Sequence, residues 1–211
     1  MSHNDDVRLS IVKRMNGYCG LMEEIKDRQA IISSALDGQL NPFLQPRAIE
    51  ELCYLQLRMT CELIALGCLL MHGDIEATRS GKIAKRYEAD WILNALSKIH
   101  PAFYPRPSKQ LGMIGKVRQV EAITSGYLTK ADLVALYHEC GSNLHRGSIR
   151  RLLSKDVVPL RFDLIRAWQG KIITLLNHHQ IDSMDPLIEY WVLMKADHDG
   201  KAHAHVMQKL V

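Results

Sequence analysis

Residues 140–155, CGSNLHRGSIRRLLSK, set one histidine beside three arginines and a lysine, directly after Gly-Ser-Asn. These residue types suit phosphate chemistry. A histidine such as His145 can give or take a proton in general acid–base chemistry. Arg146 and Arg150 stand four apart, as do Arg151 and Lys155, so a helix through them stacks each pair on one side. Guanidinium groups in that arrangement hold phosphate oxygens, bidentately where geometry allows. Asn143 adds an amide next to the histidine. In that chemistry His145 acts as general base or acid on a 2′-hydroxyl or leaving oxygen, and Arg146 and Arg150 neutralise the phosphate. The same residues also read as helix punctuation. Gly141 then ends one helix, Ser142 or Ser148 begins the next, and the arginines form its solvated face.

Two other groups of side chains carry chemical potential. Arg58 and Glu62 stand at i, i+4 inside an otherwise apolar helix and can pair there as a buried polar pair, because burial of either charge alone is expensive. Such a pair either holds the core together or marks a polar pocket or dimer seam. Near the C-terminus, His203 and His205 fall on one side of a strand, with His198, Asp197 and Asp199 in the adjoining turn. Two imidazoles and carboxylates are a ligand set for zinc or a similar ion, although a polar hairpin tip needs no such purpose. No metal centre or cofactor is assigned on this basis. Nucleophile elbows, phosphate-cradling glycine loops, dinucleotide fingerprints and H-E-x-x-H are all missing.

The elements that position these groups read as mainly α: a bundle of about five helices with a C-terminal β-hairpin. Residues 1–6 read as a tail and 7–180 as one helical domain, with residues 186–210 packed on it as the hairpin. Apolar spacing predicts a first helix from Val7 to about Leu36, capped by Asp37-Gly38. Pro46 opens a second helix, which stops at His72-Gly73 and is apolar nearly all round, the mark of a central helix. Arg58 and Glu62 in its middle argue against a membrane span. A third helix is expected over about Ser80 to Ile99, with Ile83, Tyr87, Trp91, Ile92 and Leu96 inward. HPAFYPRPSKQLG has three prolines in seven residues and predicts an extended crossing, while 111–126 reads as loop or a short strand. Thr129 and Asp132 form a capping box for the fourth helix, and Phe162, Ile165, Trp168, Ile172 and Leu175 face inward on a fifth that ends near His178-His179. In LIEYWVLMKADHDGKAHAHVMQKL, alternation before and after Asp199-Gly200 predicts the hairpin.

Bulk composition agrees with one globular domain. The chain has 211 residues, 47% apolar and 24% charged. Its N-terminus lacks a signal-peptide pattern. Five cysteines without a CxxC pair read as small buried hydrophobes in a reducing cytoplasm. The net charge is +4, but residues 105–166 hold eleven Lys or Arg against five acids. A middle third more basic than the whole points mildly to a polyanionic partner.

The central helix ELCYLQLRMTCELIALGCLLMHGDI and the helix end LYHECGSNLHRGS together resemble HEPN-type helical domains, found in bacterial toxin, phage-defence and RNA-processing proteins. The resemblance spans roughly residues 7–180. It implies a helical homodimer that binds RNA, with His145 matching the histidine of the family's Arg-x4–6-His motif. Cys140, Glu139 and His138 stand where the motif's arginine would be. The resulting expectation is a cytoplasmic RNA-binding protein, catalytic or not. Its alternatives are a non-catalytic interaction or dimerisation module and, more remotely, a small metal-binding protein using His198, His203 and His205.

Overall fold

A computed structural model describes residues 3–40, 44–73, 78, 85–115, 117–145 and 159–209, with the backbone alone for 3–9. Arg146, Arg150, Arg151 and Lys155 lie outside the described residues.

The expected central helix, opened by Pro46 and stopping at His72-Gly73, is present. Helix α2 (Pro46–Met71) has Pro46 in its first turn and buries Cys53, Tyr54, Leu57, Cys61, Ile64 and Cys68. It packs against α1 (His3–Leu36), α3 (Ala89–Ile99) and α4 (Lys130–Leu144). Among the described residues it is the one helix long and apolar enough to cross a membrane, but its apolar side chains are spent mostly on this core. The approach of α1 to α2 is close because Gly67 has no side chain: a Cβ there would lie 2.8 Å from the Tyr18 ring. Gly38, with φ of 69°, ends α1 as predicted. Helix α1 begins at His3, inside what the sequence suggests is a tail. The Thr129–Asp132 capping box opens α4 as expected, with Thr129 Oγ1 accepting from the Asp132 N–H at 3.1 Å. Helix α5 (Phe162–Leu176) completes the helical layer.

The rest of the chain corrects the bundle-plus-hairpin expectation. The protein is mixed α/β, with five helices and a five-stranded antiparallel sheet among the described residues. The strands are β1 (Arg106–Ile114), β2 (Val117–Ala122), β3 (His178–Asp182), β4 (Ile188–Leu193) and β5 (His203–Gln208), in the order β2-β1-β3-β4-β5. The predicted hairpin is thus only two strands of five, and the stretch expected to be a helical domain contains β1, β2 and the start of β3.

Each miss has a local cause. Pro107 sits inside β1, where a proline would normally break the ladder. It stands where β1 changes partners: Arg106 and Pro107 pair with β3, and the strand pairs with β2 from Ser108 onward. A bulge between Gln110 and Gly112, with Gly112 at φ of 108°, blurs the alternation further. Strand β3 follows α5 with one residue between them, so His178 and His179 begin a strand where a helix end was expected. The described part of the third helix starts only at Ala89, and Tyr87, expected inward, is 62% exposed. Gly141 does not end α4, which continues to Leu144. Asp199 keeps a negative φ and only Gly200 (φ 70°) turns positive, because nine residues, not two, connect β4 to β5.

Candidate ligand site on the curled sheet

The residues singled out from sequence separate into three places. His145 caps the C-terminus of α4, exposed, with its own N–H bonded to Gly141 O at 3.3 Å. No described side chain bonds its imidazole. Asn143 turns its amide back to the Glu139 carbonyl at 2.9 Å, so it serves the helix backbone. Arg58 and Glu62 pair at 3.3 Å between α2 and α4. There Arg58 also donates to the Tyr137 hydroxyl at 2.8 Å and lies over its ring. Glu139, one of the residues standing in place of the motif's arginine, accepts from Tyr54 Oη at 3.0 Å and Trp168 Nε1 at 3.2 Å, tying α2, α4 and α5 together. Its negative charge raises the Tyr54 hydroxyl pKa further, after burial, the larger cause. The third place is the β4–β5 turn, where Asp199 Oδ2 lies 3.0 Å from His203 Nε2 and 3.6 Å from His198 Nε2; His205 follows two residues along β5.

A fourth place emerges only from the fold. Alternation sorts β3 into His179 and Ile181 toward the helices and His178, Gln180 and Asp182 toward the other side. Tyr190 and Val192 on β4 likewise face the core, while Glu189 and Trp191 join the outer set. All five strands contribute to one cleft of about 700 Å³ on that outer face, so the sheet curls around it. Its floor is an ion network. Arg106 Nη2 reaches Asp182 at 2.9 Å and Glu189 at 3.4 Å, and Lys209 Nζ reaches the same two carboxylates at 2.7 and 3.8 Å. Buried Glu189 also accepts from Trp191 Nε1 at 2.5 Å and Gln180 Nε2 at 3.2 Å. Arg118, exposed on β2, has no ion pair among the described residues.

A smaller cavity of about 150 Å³ adjoins the cleft, bounded by Gln110, Arg118, His178, Trp191 and His205. His178 is 4% exposed and stands edge-on to Trp191. Its Nδ1 meets Ser108 Oγ at 2.8 Å, but its Nε2 is buried without a partner. Burial lowers its pKa and keeps the ring neutral. Ser108 Oγ can donate to Nδ1 or accept from it, and with either tautomer Nε2 is the ring nitrogen left open to the cavity. A buried ring nitrogen without a partner costs about 1–3 kcal/mol, so a ligand atom that meets it gains that much in return.

No family model, curated protein or solved structure matches the chain. Function therefore has to be read from this geometry. The residues of the sheet site carried one legible signal, the polar positions at His178, Gln180 and Asp182 two apart. His179, polar but facing the core, hid it.

Proposed function

We propose that this chain is a binding protein rather than a hydrolase, and that it takes a single-stranded RNA segment along the concave face of its sheet. The observation that carries the proposal is the cleft itself. Arg106, Arg118 and Lys209 line it against two carboxylates that are already paired, so the face has a surplus cation for an anionic ligand. Gln119 and Gln180 supply amides that can match base edges, and the neighbouring cavity offers His178 Nε2. The β1–β2 hairpin also belongs to the basic stretch 105–166. Cytoplasmic location and a homodimeric state are parts of the same proposal, as is the HEPN-type relationship. Cleavage at His145 is no part of it, and Arg146 and Arg150, the cations expected beside that imidazole, lie outside the described residues.

The test is anisotropy of a short fluorescent oligoribonucleotide across a salt series. Affinity should fall steeply with salt, and Arg118→Ala should weaken binding while lowering the log–log salt slope by about 1. Absence of RNA affinity at low salt would end the proposal. A second reading, a protein-interaction module, is favoured by one observation: Leu111, Met113, Ile114 and Val117 are all exposed around the β1–β2 hairpin tip. An apolar patch of that kind on a projecting hairpin suits a protein partner or a second copy.

A further inference from the structure

The nine residues between β4 and β5 are held at both ends. Ala196 N–H bonds Lys201 O at 2.9 Å and Gly200 N–H bonds Ala196 O at 2.8 Å. From α1, Lys26 Nζ donates to Gly200 O at 2.8 Å, and the Glu23 carboxylate accepts from Ala202 N–H at 2.6 Å. The turn is thus tied to a core helix. Within it, Asp199 Oδ1 accepts the Lys201 N–H at 2.9 Å, which aims Oδ2 at two imidazoles.

We propose that His198, Asp199 and His203 form a binding site for a divalent transition-metal ion of the zinc class, ligated through the two Nε2 atoms and Oδ2. The three ligand atoms lie within 4.8 Å of one another. Zinc bonds of about 2.0–2.2 Å place tetrahedral ligand atoms about 3.3–3.6 Å apart. The observed separations from Asp199 Oδ2, 3.0 Å to His203 and 3.6 Å to His198, bracket that spacing. Two nitrogens and one oxygen exclude the hard, all-oxygen preference of calcium and magnesium and suit zinc, nickel, copper or iron. The hydrogen bond to Asp199 Oδ1 orients the carboxylate in the way outer partners orient metal ligands. Three protein ligands leave a position open to water. The His203 ring stacks 6.5 Å from His205, which lines the smaller sheet cavity, so the turn adjoins that cavity. The site uses none of the residues assigned to RNA and stands without that reading.

The test is calorimetric titration of the full chain with Zn²⁺ alone. One equivalent should bind with a dissociation constant on the order of micromolar. His198→Ala, His203→Ala and Asp199→Asn should each weaken it at least tenfold. His138→Ala should not, because the His138–Asp90 pair at 3.4 Å is a histidine–carboxylate contact with no third ligand described. The Co²⁺-loaded wild-type protein, which needs no variant to fold, should show d–d absorption without a thiolate charge-transfer band. No stoichiometric Zn²⁺ binding, undiminished binding by His203→Ala, or a thiolate band pointing to the cysteines would each overturn the proposal.

Discussion

Lowering the pH should destabilise this protein before most of its carboxylates protonate, and the main cause is one buried histidine. His179 is fully enclosed at the start of β3. Its Nδ1 meets the Leu176 carbonyl at 3.0 Å, and a carbonyl only accepts, so the proton is on Nδ1. Nε2 is then the acceptor for the Tyr18 hydroxyl at 2.8 Å. Burial, the largest cause, lowers its pKa to about 4 from the usual 6.5. Above pH 6.5 the ring is neutral folded and unfolded, so it adds no pH dependence. Below 6.5 the unfolded chain takes up a proton that the folded one refuses until about pH 4, and stability falls with falling pH. The slope approaches about 1.4 kcal/mol per pH unit and the total loss is roughly 3 kcal/mol, of which about 2 kcal/mol has accrued by pH 5. His178, also lowered by burial, adds to the effect with the same sign. Asp132 and Glu23, whose pKa values are lowered, act only at more acidic pH. Urea midpoints measured from pH 7.5 to 4.5 should therefore decline, and His179→Gln, which keeps an acceptor for Tyr18 but cannot titrate here, should flatten the decline. A flat wild-type curve, or an unchanged slope in His179→Gln, would refute the reasoning.

Other outcomes follow from single contacts. Gly67→Ala pushes a methyl into the Tyr18 ring at 2.8 Å and should cost about 1–3 kcal/mol in chemical denaturation. Thr129→Ala removes the capping box of α4 and should cost about 0.5–2 kcal/mol by the same assay. Glu139→Leu leaves the Tyr54 and Trp168 donors without an acceptor and should destabilise by about 1–3 kcal/mol. If the apolar hairpin tip mediates self-association, Met113→Asp should shift light-scattering mass toward monomer without changing the circular dichroism spectrum.

What could be read from the sequence was whatever local chemistry decides. Pro46, the Asp37-Gly38 cap, the Thr129–Asp132 box and the apolar run of α2 all signal through neighbouring residues, and the structure has them where expected. The sheet was half hidden because its pairings are distant and its strands carry contrary local signals: Pro107 in β1, a bulge glycine at 112, and His178-His179 directly after a helix. The site inherits that difficulty. Arg106, Arg118, His178, Glu189, Trp191 and Lys209 are scattered over a hundred residues and meet only because β1 lies beside β3. Basic clusters such as Arg146–Lys155 are conspicuous in one dimension, whereas a cleft assembled from single residues and short runs on five strands is not.

The central claim is that the ligand lies on the curled sheet and not at the end of α4. Titration of the isotope-labelled protein with a short oligoribonucleotide, followed by amide and indole chemical shifts, tests it most directly. The account predicts that the Trp191 indole N–H and the amides of β1 to β4 facing the cleft move together and saturate. Shifts confined to residues around Asn143 and His145, with the Trp191 signal unmoved, would contradict it.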